Sequence, residues 1–265
     1  MSDADPPMTP IPPTLLFDLD DTVLSYSAVI EGFWDELVGE FVPADVELSA
    51  LRAALAESRA WYWRDAERSR RGRLDLVRAR REIVGRAFDA IACERPEVVN
   101  ALADAFTARR EARIVPFVGA IETLHELRRR GSRLGLVTNG EQKFQRAKIA
   151  RFALEPLFDV IVIEQEFGTG KPDPRVFEHA LGSLNAMPEE TWMVGDNLEA
   201  DIRPARELGL HTVWVDHEKH GLPERPSGRP HRVVRAIREI LHPSDPEAST
   251  TGDAAEQARL TPADR

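Results

Sequence analysis

The 265-residue sequence has one cysteine, Cys93, and only four lysines, Lys143, Lys148, Lys171 and Lys219. A lone cysteine forms no internal disulfide, which excludes a disulfide-stapled fold and fits a reducing cytoplasm. Long hydrophobic runs are also missing. No stretch approaches the roughly 18 apolar residues that span a bilayer. The opening MSDADPPMTPIPP lacks a basic start and an apolar core, so it is not expected to be a signal peptide. Positive charge is in deficit, with 35 basic against 45 acidic residues and a net charge of -10. That argues against phosphate-backbone binding as the main task. What is present is ordinary for a soluble globular chain: 42% hydrophobic and 30% charged residues. This length and composition predict one large domain, or a core with an insert, and exclude a collagen-like or mostly disordered protein.

The layout follows from periodicity. Residues 1–13 carry five prolines and predict a flexible lead; 243–265 are polar and turn-rich and predict a disordered tail. TLLFD (14–18) reads as a buried strand. From 26 to 113 only helical spacing is found, as in Ile30, Phe33, Trp34, Leu37, Val38 and Phe41. Strands and helices then alternate: a helix at 120–130 ending at Gly131, a strand at 133–138, a helix at 142–152 and a strand at 159–163. A helix at 174–184, a strand at 191–195, a helix at 198–208, a strand at 211–215 and a helix at 231–241 follow. Continuously apolar strands alternating with helices predict an α/β fold with a doubly wound, Rossmann-like parallel sheet. The expected core comprises 14–25 and 114–242, interrupted by an all-helical cap at 26–113.

Ligands bind outside the carboxyl ends of strands in such sheets, and polar residues collect there. The first strand runs into Asp18, Asp20, Asp21 and Thr22; the strand at 133–138 ends in Thr138-Asn139-Gly140. The strand at 191–195 leads to Asp196, Asn197 and Asp201, and the loop after 159–163 reaches Lys171. Gathered acids are costly without a cation. Oxygen ligands without a His/Cys set point to Mg²⁺ rather than zinc, together with a substrate phosphate. A divalent ion and Lys171 balance Asp18, Asp196 and Asp201. A phosphate dianion then leaves negative charge in excess, so Asp20 gains by holding a proton, which is what a departing alkoxide needs. Asn139 and Gly140 open the next helix, whose free N–H groups suit an anion, and Thr138 adds a hydroxyl. Of the lysines, Lys143, Lys148 and Lys219 occupy unremarkable helical or loop sequence.

FDLDDTVL, VTNG, the lysine of GKPDP and VGDNLEAD, in this order, resemble the four motifs of the haloacid dehalogenase superfamily. The insert resembles the helical cap of the subfamily that carries its cap between the first two motifs. The resemblance implies at least five parallel strands with the first lying centrally, and a lid over the site. It implies that Asp18 is the nucleophile, and that Asp20 protonates the leaving group and then activates water. Asp18, the Asp20 main-chain carbonyl and Asp196 are expected to hold Mg²⁺. Thr138, Asn139 and Lys171 are expected to bind the phosphate, supported by Asp201 and, as a lesser candidate, Asn197. Asp21 reads as a turn or cap residue.

The reaction follows from what accompanies the first acid. Dehalogenation in this superfamily needs no acid two residues on, so Asp20 favours phosphoryl transfer. A phosphonate-cleaving relative uses a cap lysine, and 25–115 contains none. A sugar-phosphate mutase or dehalogenase of the same superfamily, or a non-catalytic binding protein on the same fold, is the alternative. The expected partner is a small phosphorylated metabolite, a sugar phosphate or nucleotide, with no nucleic acid and no membrane. The Arg-rich stretch from Arg64 to Arg86 reads as a solvated face paired with Asp65, Glu67, Asp75 and Glu82, with one or two arginines left to reach an anionic substrate. Trp61-Tyr62-Trp63 reads mostly as core packing. Cys93 reads as a small buried hydrophobe on a helix, and the histidines at 211, 217, 220 and 231 form no metal set.

Overall fold

In the computed structural model, residues 11–27 and 33–242 are described. The flexible lead and disordered tail expected from composition lie outside the described residues, apart from 11–13. These three are tied down: the Ser132 hydroxyl donates to the Pro12 carbonyl and the Arg133 N–H to the Pro13 carbonyl.

TLLF forms β1 (Thr14–Phe17), buried along its whole length. Two-residue strands β2 (Leu24–Ser25) and β3 (Val115–Pro116) pair antiparallel into a ribbon. The helical insert leaves and returns through it. Strands β4 (Arg133–Thr138), β5 (Val160–Ile163), β6 (Thr191–Gly195), β7 (His211–Val215) and β8 (Arg232–Val234) complete a parallel sheet ordered β5-β4-β1-β6-β7-β8. The first strand is therefore central. Phe17 lies opposite both Leu136 and Val194, so the chains leaving β1, β4 and β6 emerge side by side.

Alternate residues of each strand face opposite ways, and helices cover both faces. Leu15, Phe17, Leu134 and Val194 pack with Leu124 and Leu127 of α6 (Ala120–Arg129 in the chain's helix order) and with Ile149 of α7 (Gln142–Arg151). On the other face Leu16, Val137 and Met193 pack with Phe177 and Leu181 of α9 (Pro174–Leu184), which follows the one-turn α8 (Glu164–Phe167). The insert consists of α1 (Phe33–Phe41), α2 (Leu48–Arg64), α3 (Ala66–Leu74), α4 (Leu76–Ala90) and α5 (Pro96–Arg113). It has an apolar core of its own, in which Phe33, Leu51, Val84, Phe88 and Phe106 are buried together.

Three local expectations are corrected. Residues 231–241 are not a helix but β8 followed by a 3-10 turn at Ile237–Leu241. Val234, Ile237 and Leu241 keep helical spacing, yet pairing with β7 captures the backbone of 232–234 first. The helix expected at 198–208 is a wide π turn (Leu198–Ile202) leading into α10 (Arg203–Glu207). Pro204 lacks the N–H that a continuous helix requires there. Cys93 is half-buried in the turn after α4 rather than on a helix.

Candidate active site

Asp18 leaves β1 with its N–H still donating to the Val194 carbonyl of β6 at 3.0 Å. The sheet ladder thus fixes its main chain. Lys171, from the loop between α8 and α9, places Nζ 2.6 Å from Asp18 Oδ1 and 2.6 Å from Asp201 Oδ1. All three side chains are buried. Burial raises the Asp18 carboxyl, Lys171 lowers it and Asp201 raises it again, so its pKa is pushed up to about 7. Burial opposes the Lys171 charge, but Asp18 and Asp201 outweigh it and hold the ammonium above the ordinary lysine range. Asp196 follows β6. Burial, then the charges of Asp18 and Asp201, push its carboxyl well above the usual range. Carboxylate oxygens of Asp18, Asp196 and Asp201 all lie within 4.8 Å of one another.

Asp201 commits both oxygens to the protein: Oδ1 to Lys171, and Oδ2 to the Asn197 N–H at 3.0 Å. The wide turn at Leu198–Ile202 sets this position, and Gly195 permits it, because a β-carbon at Gly195 would overlap the Asp201 carboxylate. Asn197 lines the cavity, and its Oδ1 accepts the Glu199 and Ala200 N–H groups and caps the turn. Asp21, at φ 62, accepts from the Tyr26 and Ser27 N–H groups, which is the expected turn role.

Asn139 is brought to the site, but its side chain clasps Lys171. Its Nδ2 donates to the Lys171 carbonyl at 2.7 Å and its Oδ1 accepts the Lys171 N–H at 2.8 Å. A β-carbon at Gly170 would stand 2.6 Å from Asn139 Oδ1, so the clasp requires glycine there. The expected anion-binding helix start is also displaced. α7 begins at Gln142, and the Gly140 N–H already donates to Glu164 Oε2 at 2.9 Å. A buried carboxylate thus takes the donor assigned to an anion. The Thr138 hydroxyl accepts from Gln145 Nε2 at 2.7 Å, keeping its own hydrogen for an acceptor in the adjoining cavity.

Three participants were missed in the sequence. Lys148 is not an unremarkable helical lysine: it is buried, with Nζ 2.7 and 2.6 Å from the two Asp20 carboxylate oxygens. Gln145 adds a 3.1 Å hydrogen bond to Asp20. The signal was two polar residues, Gln145 and Lys148, on the buried stripe of α7 beside Ile149. The charge tally that omitted Lys148 is corrected accordingly; Asp20 has a cation of its own. The third is Glu164, 2% exposed, which binds Gly140 N–H and also Arg73 Nε and Nη2 of α3 at 3.2 and 3.1 Å. It ties the helical insert to the strand-end loops.

The Arg-rich stretch is likewise paired differently from the expectation. Asp65 and Asp75 cap α3 and α4 through backbone N–H groups. The arginines reach farther: Arg81 to Asp104 and Arg73 to Glu164, with Arg68 and Arg86 lying against Trp61. Between the strand ends and the insert lies a cavity of about 1200 Å³ lined by Asp18, Asp20, Thr138, Lys171, Asp196 and, from the insert, Trp63.

A family model described as haloacid dehalogenase-like hydrolase matches residues 12–209. The chain belongs to this family. A phosphoserine phosphatase from Thermus thermophilus is 38% identical over 249 residues, covering 86% of this chain and 97% of that protein. A glyceraldehyde 3-phosphate phosphatase from Methanocaldococcus jannaschii is 30% identical over 207 residues, covering 76% and 83%. The structure of the HAD-hydrolase YfnB from Bacillus subtilis, bound to magnesium, superposes with a TM-score of 0.66 at 23% identity, over 86% of this chain and 96% of that one. That likeness shows the haloacid dehalogenase-like fold. Among the described residues no helix is long and apolar enough to cross a membrane.

Proposed function

We propose that the protein is a Mg²⁺-dependent phosphomonoester hydrolase that acts on a small phosphorylated metabolite, a sugar phosphate or nucleotide, through an aspartyl-phosphate on Asp18. The observation that carries this reading is the buried Asp18–Lys171 contact of 2.6 Å at the end of the central strand, with Thr138 and Asp196 lining the same cavity. Phosphatase names among the relatives support the reaction class. The single, half-buried Cys93 fits a reducing cytoplasm.

The donor set fits a hard cation. Asp196 accepts no side-chain hydrogen bond from a described residue, and Asp18 keeps Oδ2 outside its Lys171 contact. Asp201 is fully engaged and Asp20 offers its carboxylate to Lys148, so Asp18, Asp196 and the Asp20 carbonyl would hold the ion. Bound there, Mg²⁺ supplies charge stabilisation for the transferring phosphoryl group.

Asp18 attacks phosphorus in line with the leaving oxygen; the Oδ–P bond forms as the ester P–O bond breaks. Lys171 and the Thr138 hydroxyl meet the phosphoryl oxygens. Asp20 takes up a proton from solvent when the phosphate enters, passes it to the leaving oxygen, and returns to the carboxylate that Lys148 contacts. In the second half Asp20 takes a proton from water, whose oxygen bonds to phosphorus and releases Asp18 and inorganic phosphate.

The test is hydrolysis of p-nitrophenyl phosphate with and without Mg²⁺. We expect metal-dependent turnover that Asp18→Asn abolishes while the folded far-UV signal persists. Turnover near wild type in Asp18→Asn contradicts the nucleophile assignment.

A further inference from the structure

Beyond Asp20 the cavity is walled by Tyr26, Trp34, Arg80, Ile83, Phe106 and Arg110. Two of these are buried cations. Arg80, on α4, is 3% exposed; neither Nη1 nor Nη2 makes a well-formed hydrogen bond to a described residue, and the Tyr26 hydroxyl is the polar group beside it. Its ion-pair partner among the described residues is Glu111, 4.0 Å from Nη2. Arg110, on α5, is 4% exposed; its Nε has no partner, and its Nη2 makes one long bond of 3.4 Å to the Tyr26 carbonyl. Its guanidinium lies 3.3 Å from the centre of the Tyr26 ring, and Lys148 Nζ lies 4.6 Å from the centre of the same ring. Tyr26 therefore joins the arginine pair to the lysine that holds Asp20.

Charge and donor counts both leave a remainder. Among the described residues Arg80 and Arg110 have one ion-pair partner between them, Glu111, and the Asp20 carboxylate is engaged by Lys148 and Gln145. Buried guanidinium N–H groups without acceptors are expensive unless a ligand supplies them. We infer that Arg80 and Arg110 form a subsite for a second anionic group of the substrate, a carboxylate carried on the leaving group a short carbon skeleton from the phosphate ester. Among the described residues the arginine pair carries one positive charge beyond Glu111, which a carboxylate balances and a second phosphate dianion overshoots. A planar guanidinium also matches a carboxylate in a two-point contact. Trp34, Ile83 and Phe106 supply the apolar wall against which the skeleton lies. This inference rests on the phosphatase reading and, within small phosphorylated metabolites, puts phosphorylated hydroxy acids and amino acids in place of a sugar phosphate or nucleotide.

The experiment measures kcat/KM of the full-length protein with Mg²⁺ on matched esters. One pair is 3-phosphoglycerate and glycerol 3-phosphate; the other is O-phosphoserine and O-phosphoethanolamine. Each pair differs at the carboxylate. Fructose 1,6-bisphosphate against fructose 6-phosphate tests a second phosphate. We expect the carboxylate-bearing ester to be preferred by about 100-fold in at least one pair. We expect the ratio to fall to about threefold or less in Arg80→Met, with Arg80→Lys intermediate because it keeps charge and loses the fork. Arg110→Met reads the same ratio from the other guanidinium. Equal turnover within both carboxylate pairs overturns the inference from wild-type protein alone, whatever the variants' folding. So does a ratio that a folded Arg80→Met leaves unchanged. A preference confined to the bisphosphate replaces the carboxylate with a phosphate and also overturns it. Turnover of p-nitrophenyl phosphate without carboxylate preference leaves the phosphatase reading standing, whereas turnover of none of these esters refutes both.

Discussion

At the residue scale the site depends on buried charges that neutralise one another. Asp18 shows this most directly. With its carboxyl pushed from 3.8 to about 7 by burial, the metal-free native state holds that proton more tightly than the unfolded chain does. The contribution of Asp18 to the stability of the metal-free protein therefore falls as pH rises from about 4 to about 7. A metal needs the ionised carboxylate, so Mg²⁺ binding tightens over the same interval. We expect the rise in Tm caused by Mg²⁺ to be larger at pH 8 than at pH 5.5. A gain independent of pH in thermal unfolding contradicts the placement of the ion at Asp18. Lys148 makes a second residue-scale claim. It touches Asp20 rather than the reacting atoms and so acts as a positioning residue. Lys148→Met should lower kcat about tenfold or more with KM little changed, and Lys148→Arg should restore part of it. Loss confined to KM would move Lys148 to substrate binding.

Short polar segments between regular elements do most of the positioning at the element scale. The loop after β4, the one-turn α8 and the loop carrying Lys171 are held together by Asn139 and Glu164. Glu164 also receives Arg73 from α3, so the same carboxylate joins insert and core. Glu164→Ala would leave the Gly140 N–H and the Arg73 guanidinium without their acceptor. We expect a loss of about 1–3 kcal/mol, seen as a Tm lowered by several degrees, together with a raised KM. An unchanged Tm would show that the junction tolerates the loss, for instance through water. VTNG and GKPDP were legible as separate motifs, but their mutual clasp was not. Asn139 and Lys171 are 32 positions apart, and no local pattern reports a hydrogen bond across that separation.

For the whole molecule, charge distribution separates enzyme from nucleic-acid binder. The net charge is -10, and the arginines of α3 and α4 are largely spent on Glu164, Asp104 and Trp61 or face the cavity. We expect no retardation of a short DNA duplex at 100 mM salt in a gel-shift assay. Steeply salt-dependent binding would reveal a basic surface that this pairing argues against. The central place of β1 is likewise a property of the whole sheet. It follows from parallel pairing to β4 and β6, and it brings acids from the ends of β1 and β6 to one edge, beside Thr138 of β4.

The sequence by itself determined the sheet-forming runs, the interruption by helices, and the order in which Asp18, Thr138, Lys171 and Asp196 arrive at strand ends. Each is a local matter: period, length of apolar run, and the residue type that follows. The tertiary structure alone decided that Lys148 reaches Asp20, that Asn139 holds a main chain, and that Arg80 is buried beside Tyr26 with neither terminal nitrogen in a well-formed hydrogen bond among the described residues. It also decided that 232–234 pair as an edge strand. These outcomes turn on which distant group is nearest when the chain closes. Helical spacing places Lys148 on a face of α7, but only the packing of that face onto the sheet supplies the acid it meets.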